Sequence, residues 1–322
     1  MNIAVIGTNF ISDSFCNAQK RVNGTKTLAV YSRAKERGAE FAKKHGIERV
    51  YSDLSEMLSD REIDAVYIAS PIFAHAEQAI LAMAAGKHVL CEKMMAATLD
   101  EFYAMKEASE RYGRVLIEAM RPAHDPLISI VRENLPKIGK VRRASLEFCQ
   151  YSSRYDKFKS GIVENAFDPK IKNSALSDIG IYPLYLALDL FGEPCDLGCR
   201  SIFLENGFEG EGVLTLGYSD KVVTVTYSKI FGGALPSVIE GEDGAIIINK
   251  ISAPTEISLR LRGREPEIIG RADTEENMQY EIAAFRDMCE GIRDHKPYLS
   301  VTELQQKIVD ASYRISGAYK YF

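Results

Sequence analysis

Ile3-Ala4-Val5-Ile6-Gly7-Thr8-Asn9-Phe10-Ile11-Ser12 runs from four apolar residues through a single glycine into the start of a helical stretch. A short apolar strand that turns at once into a helix is the opening unit of an α/β sheet. The pattern repeats outward from it. Short β-branched and apolar runs recur at 27–31, 65–69, 88–91 and 115–117, each apolar enough to be buried on both faces, as a parallel sheet requires. Between them, 35–45 and 77–85 carry apolar residues at helical spacing and are followed by Gly46 and Gly86, residues suited to helix ends. Residues 1–121 are therefore expected to form a doubly wound parallel sheet with helices on both faces.

The pattern changes near Pro122 and Pro126. After a helix at 126–134, strands are expected at 141–150, 212–218, 221–229, 237–240 and 245–248. The turn signals Tyr218-Ser219-Asp220 and Gly241-Glu242-Asp243-Gly244 between them predict consecutive antiparallel strands in one open sheet. A helix at 175–190 interrupts this region, and helices at 275–293 and 301–318 close the chain. The second domain, 122–322, is thus expected to be α+β, and 322 residues with 46% hydrophobic content suit two cores better than one.

The net charge of -5 comes from 45 acidic and 40 basic residues mixed along the chain, which offers nucleic acid no basic footprint. No run approaches the roughly 20 apolar residues of a membrane span. Met1-Asn2-Ile3 leads straight into a strand without a signal pattern, so a cytoplasmic location is expected. The six cysteines, at 16, 91, 149, 195, 199 and 289, form no Cys-x-x-Cys pair and read as reduced, mostly buried thiols. His45, His75, His88, His124 and His295 show no metal-binding spacing, and no metal is expected.

In the first turn a dinucleotide fingerprint would place glycine at the first, third and sixth positions. Gly7 supplies the first. Asn9 stands at the third, where asparagine is one of the few other residues that tolerate positive φ, and Ser12 is small enough for the sixth. Gly7, Thr8, Asn9, Phe10 and Ile11 are expected to meet a pyrophosphate at a helix N-terminus; an ordinary strand-to-helix turn is the plainer alternative. Tyr31-Ser32-Arg33 follows the second run, where an acid would hold the ribose 2′-hydroxyl of NAD. No acid is there. A hydroxyl and a guanidinium together suit a 2′-phosphate, so NADP(H) is expected, with NAD(H) possible. Ser70, Pro71 and His75 follow one further strand and Glu92 and Lys93 end another, at the carboxyl edge where open α/β sheets bind ligands. In the second domain, Asp178 and Tyr182 share one helical face at spacing i, i+4.

The strings Ala-Gly-Lys-His-Val-Leu-Cys-Glu-Lys (85–93) and Ser-Asp-Ile-Gly-Ile-Tyr (177–182) resemble those of the glucose-fructose oxidoreductase, inositol dehydrogenase and rhizopine catabolism (Gfo/Idh/MocA) family. So do the Val-Tyr-Ser-Arg turn at 30–33, the Glu118-Ala119-Met120-Arg121 junction and the segment 148–155, with the dihydrodiol-dehydrogenase-like branch nearest. Tyrosine stands at 182 where many relatives carry histidine. Methionine at 94 replaces the usual proline, and Asn173-Ser174-Ala175 replaces a glycine-rich lead-in.

The resemblance implies a Rossmann domain followed by an open-sheet domain that binds substrate and forms a homodimer or higher homo-oligomer. It implies Lys93, Asp178 and Tyr182 as the catalytic group, and Arg121 completes the expected cofactor-binding set. The implied reaction moves a hydride between nicotinamide and a carbonyl or alcohol carbon of a small sugar, polyol, dicarbonyl or dihydrodiol. Lys93 would stabilise the developing alkoxide, Asp178 would orient the lysine, and Tyr182, or alternatively Lys93, would give the proton. The rival reading is a non-catalytic NADP(H)-binding sensor or scaffold.

Overall fold

A computed structural model describes the whole chain, residues 1–322. It divides into two compact units, Met1–Met120 with Glu276–Ser300 and Arg121–Glu275 with Val301–Phe322.

In the first unit six strands, β1 (Asn2–Ile6), β2 (Lys26–Tyr31), β3 (Arg49–Tyr51), β4 (Ala65–Ile68), β5 (His88–Glu92) and β6 (Leu116–Ala119), form one parallel sheet in the order β3-β2-β1-β4-β5-β6. Helices α1 (Phe10–Gln19), α2 (Lys35–His45), α3 (Leu54–Ser59), α4 (His75–Ala84) and α5 (Leu99–Tyr112) alternate with the strands. The apolar runs are buried because helices cover both faces: Val5, Phe15, Val30 and Tyr67 belong to one core, and Ala4, Ile68, Val89 and Phe102 to another. β3 escapes the sequence reading because it is three residues long, includes Arg49 and leaves Val50 exposed. Residues 276–300, expected with the second domain, pack here. Met278, Ile282, Phe285 and Met288 of the helix Met278–Cys289 enter the core that holds Phe15, and amphipathic spacing alone does not say which core a helix covers.

The second unit is built on eight strands, β7 (Val141–Cys149), β8 (Asp196–Phe203), β9 (Glu209–Gly217), β10 (Val222–Ser228), β11 (Ser237–Gly241), β12 (Gly244–Ile248), β13 (Glu256–Leu261) and β14 (Glu267–Arg271). Their order is β14-β13-β12-β11-β7-β10-β9-β8. The sheet is mainly antiparallel, and the pairs that flank the two turns, β9–β10 and β11–β12, are antiparallel as expected; β7 lies between β10 and β11 and runs parallel to β10. β9 and β10 form a hairpin closed by the Tyr218 N–H on the Lys221 carbonyl (3.0 Å), and β11 then returns antiparallel on the other edge of β7. Helices α6 (Arg121–His124), α7 (Pro126–Asn134), α8 (Ser153–Lys159) and α9 (Ile181–Phe191) belong to this unit. No helix of the chain is long and apolar enough to cross a membrane.

Candidate active site

In the first sheet Tyr31, Ile6, Ile68 and Cys91 lie in one row across β2, β1, β4 and β5. The residues that follow them, Ser32 and Arg33, Gly7 to Phe10, Ser70 and Pro71, and Glu92 and Lys93, therefore leave the sheet at the same carboxyl edge. The order of strands reverses between β1 and β4, which is the switch point where such sheets bind ligands.

Gly7 has φ +111°, and a Cβ there would lie 2.8 Å from the Ala69 carbonyl oxygen. Its N–H donates to Tyr31 O (3.1 Å) and so holds the turn against β2. Asn9 corrects the expectation made for it. Its φ is -93°, in the extended region, and its work is done by the side chain. Oδ1 accepts from Ile11 N (3.0 Å) and Ser12 N (3.1 Å), capping α1, while Nδ2 donates to Ala69 O (2.7 Å). Left-handed backbone is needed only at Gly7, so Asn9 serves as a cap that ties the helix N-terminus to the end of β4. Ser12 is buried, as close helix packing requires, and Phe10 is exposed. Asn9→Ala should cost about 1 kcal/mol of stability, the usual value of a lost cap, and Asn9→Ser should recover most of it. Equal thermal midpoints for the three proteins would refute the cap.

Ser32 is buried with its N–H on Tyr51 O (3.0 Å), whereas Arg33 beside it is exposed. The Ser70 hydroxyl donates to Gln78 Oε1 (2.7 Å), and Pro71 is exposed. His75 was expected to face the cofactor, but it is 2% exposed with its ring between two carbonyl oxygens, Nε2 at 2.8 Å from Ser70 O and Nδ1 at 3.0 Å from Met94 O. Burial pushes its pKa down. The imidazole pins the loop after β4 to the turn after β5, and both its nitrogens are engaged by the fold. Glu92 likewise turns inward: Oε1 accepts from the Tyr67 hydroxyl (2.5 Å) and Oε2 from Lys93 N (3.2 Å). Lys93 is half-buried, and the Lys93–Met94 peptide is cis.

In the second unit Asp178 and Tyr182 stand where a continuous helix was expected. Instead a π-helical turn, Leu176–Gly180, precedes α9. A Cβ on Gly180 would lie 2.6 Å from Cγ of Tyr227, and one on Gly212 would lie 2.3 Å from the Tyr227 hydroxyl, so this ring fits between two glycines. Pro183, which has no N–H to give, is the third residue of α9, directly after the π-helical turn.

Asn173-Ser174-Ala175 leads into the turn with Ser174 fully inside. Ser174 N donates to Ser177 Oγ (3.0 Å), Ser177 N to Ser174 Oγ (3.1 Å), and the Ser174 hydroxyl meets that of Tyr313 (2.9 Å). Beneath it Glu209, fully buried, accepts from Leu176 N (3.2 Å), the Ser201 hydroxyl (2.5 Å) and the Tyr227 hydroxyl (3.0 Å). Its pKa is raised by burial, which these donors counter only in part.

Tyr182 is buried, with Phe148 against its ring (centroids 5.7 Å apart) and Arg121 Nη2 at 3.4 Å from its hydroxyl. Arg121, expected on the cofactor, is thus a neighbour of the phenol. Asp178 pairs with a lysine that sequence reasoning missed, Lys229, whose Nζ lies 2.8 Å from Oδ2. The missed signal is the one that singled out Lys93, a lysine directly after an apolar strand. Glu209 gave no signal, because its strand begins in a glycine-rich stretch.

Residues 1–120 match the family described as oxidoreductase family, NAD-binding Rossmann fold. The chain is 43% identical over 285 residues to the scyllo-inositol 2-dehydrogenase (NADP(+)) of Bacillus subtilis, covering 88% of this chain and 87% of that one. An uncharacterized oxidoreductase of Escherichia coli is 35% identical over 98% of this chain and 97% of its own. In fold it is similar to a 3-ketoreductase from Actinomadura kijaniata solved with NADP and TDP-benzene, at TM-score 0.85, 20% identity and 98% coverage of both chains. A doubly wound parallel sheet, the two strings at 85–93 and 177–182 and relatives that match most of the chain agree, and the chain belongs to the Gfo/Idh/MocA family of oxidoreductases.

Proposed function

We propose that this oxidoreductase uses NADP(H) in preference to NAD(H) and acts on a secondary alcohol, or the matching ketone, of a cyclic polyol or sugar. Ser32 and Arg33 carry the cofactor half of the reading: the end of β2 offers a hydroxyl and an exposed guanidinium and no carboxylate. That donor set suits a 2′-phosphate and lacks the carboxylate that would accept from a ribose 2′-hydroxyl. Gly7, Thr8, Phe10 and Ile11 would hold the pyrophosphate at the α1 N-terminus, with Ser70 and Pro71 beside them on the sheet edge. When bound, the nicotinamide supplies or accepts the hydride. The polyol half rests on the Bacillus subtilis relative's named substrate and on the retained Lys93, Asp178 and Tyr182.

In this reading the Lys93 ammonium stabilises negative charge on the substrate oxygen, Tyr182 exchanges the proton, and Asp178 is the carboxylate that orients the cationic groups. Arg121, beside the Tyr182 hydroxyl, supports the phenol. A homodimer working in the cytoplasm belongs to the same proposal, and six free thiols suit a reducing compartment.

The test is reduction of NADP+ or NAD+ by a panel of inositols, sugars and dihydrodiols. Turnover with a cyclic polyol and NADP+ is the expected result; tight cofactor binding with no turnover across the panel would favour a sensor. Ser32→Asp with Arg33→Ala should weaken NADP(H) binding by roughly ten- to a hundredfold, the value of about 1.5–3 kcal/mol of hydrogen bonding to charge. NAD(H) should change little, and an unaltered ratio of the two dissociation constants would sink the assignment.

A further inference from the structure

Lys229 immediately follows β10 and is fixed by the ladder on both sides: its N–H donates to Gly210 O (2.8 Å) and its carbonyl accepts from Ser152 N (3.0 Å). The side chain runs inward and is only 4% exposed. Its Nζ donates to the Ala166 carbonyl (2.6 Å) and lies 2.8 Å from Asp178 Oδ2. The ammonium also sits over the faces of Phe167 and Phe208, at 4.9 and 5.0 Å from the ring centroids. Phe167 stacks in turn on Tyr155 and Phe158, and the Asn206 amide donates to its carbonyl (2.8 Å). A buried lysine is costly unless its charge is matched. Here a carboxylate, a carbonyl and two ring faces match it, and two of those partners lie in the short turn Asn165–Phe167.

We infer that Lys229 is a positioning residue for the reaction, holding Asp178 ionised and in place and tying it to the segment 151–172 that packs over the Lys229 ammonium. This rests on the role assigned to Asp178 above. The titratable and charged groups on the elements packed against the π-helical turn are Arg142, Arg143, Glu147 and Cys149 on β7, Glu209 and Glu211 on β9, Tyr227 on β10, and Tyr182, Tyr185 and Asp189 on α9, with Arg121 at the Tyr182 hydroxyl. Glu209 and Tyr227 are bonded to each other (3.0 Å), and Lys229 places a cation 2.8 Å from Asp178 Oδ2. Loss of that cation makes protonation of Asp178 easier, so the acid limb of the activity profile should move to higher pH.

The experiment compares the full-length enzyme with Lys229→Met, Lys229→Arg, Asp178→Asn and the double variant Asp178→Asn/Lys229→Met. Hydride transfer and kcat/KM are followed against pH, and folding is checked by the thermal transition. Lys229→Met should lower kcat roughly tenfold and move the acid limb up by about one pH unit or more, the effect of losing an adjacent opposite charge. Lys229→Arg should leave the limb in place, and in the Asp178→Asn background Lys229→Met should cost little more. A folded Lys229→Met enzyme with the parental limb and kcat overturns the inference. If Lys229→Met alone fails to fold, Lys229→Gln, which removes the charge but keeps a donor for the Ala166 carbonyl, is read against the same limb and kcat. In the double variant, slowing far beyond Asp178→Asn would mean that Lys229 acts by another route. Normal transfer in Asp178→Asn would overturn the role of Asp178 itself, whereas slow transfer there with a normal Lys229→Met overturns only the role of Lys229.

Discussion

Lys93→Met is expected to lower single-turnover hydride transfer by roughly 10²- to 10⁴-fold, the range for losing acid-base assistance, while NADP(H) still binds. The substitution keeps the apolar stem and removes the charge. Lys93 follows β5 at the carboxyl edge of the sheet, its N–H is held by Glu92 Oε2, and Glu92 is anchored by the Tyr67 hydroxyl. The loop should therefore keep its path when the ammonium is lost. Tyr182→Phe should cost less than Lys93→Met if the lysine can itself give the proton. Combined, the two should cost much less than the product of their separate effects, because groups that act as a unit are not additive. A folded Lys93→Met enzyme with near-normal transfer at saturating cofactor would refute the proposed chemistry.

Much of this architecture is legible in the sequence because parallel strands buried on both faces leave continuous apolar runs. β1, β2, β4 and β5 were readable for that reason, and the rule that ligands bind at the carboxyl edge then placed residues 7–11, 32–33, 70–71 and 92–93 on one side. Edge strands obey no such rule. β8 has no fully buried position and β14 exposes Glu267 and Ile268, so neither carries a clear alternation, and β3 is too short to show one. The direction of β10 depends on which edge of β7 it joins, a long-range choice invisible in its own residues.

At the site, residue type was legible and conformation less so. Asn9 was singled out for its tolerance of positive φ, but its carboxamide, which can accept from two N–H groups and donate to a carbonyl at once, is what the fold uses. His75 and Glu92 sit in the right loops and point inward, since loops that present a ligand edge need buried polar anchors of their own. Lys229 and Glu209 lie some fifty and thirty residues beyond Asp178 in the sequence, and only the sheet register brings them under it.

Gly7→Ala is expected to destabilise the first unit and to weaken both cofactors together. A φ of +111° lies beyond the left-handed helical region that asparagine or aspartate can enter. Holding alanine there costs on the order of 1–3 kcal/mol. The new Cβ would also meet the Ala69 carbonyl oxygen at 2.8 Å and its carbon at 3.1 Å, backbone atoms that cannot rotate away. Relief requires β1 and β4 to part at their carboxyl ends. The same Ala69 oxygen accepts from Asn9 Nδ2, so the α1 cap moves with it and the helix N-terminus loses its place relative to the sheet. Affinity for NADP(H) and for NAD(H) should each fall by about tenfold or more, the equivalent of 1.4 kcal/mol, with their ratio preserved. Ser32→Asp with Arg33→Ala should do the reverse, changing the ratio while sparing the fold. Parallel titrations and thermal melts of the two variants separate the effects. Unchanged affinity for both dinucleotides in a folded Gly7→Ala protein would show that the turn after β1 does not carry the pyrophosphate.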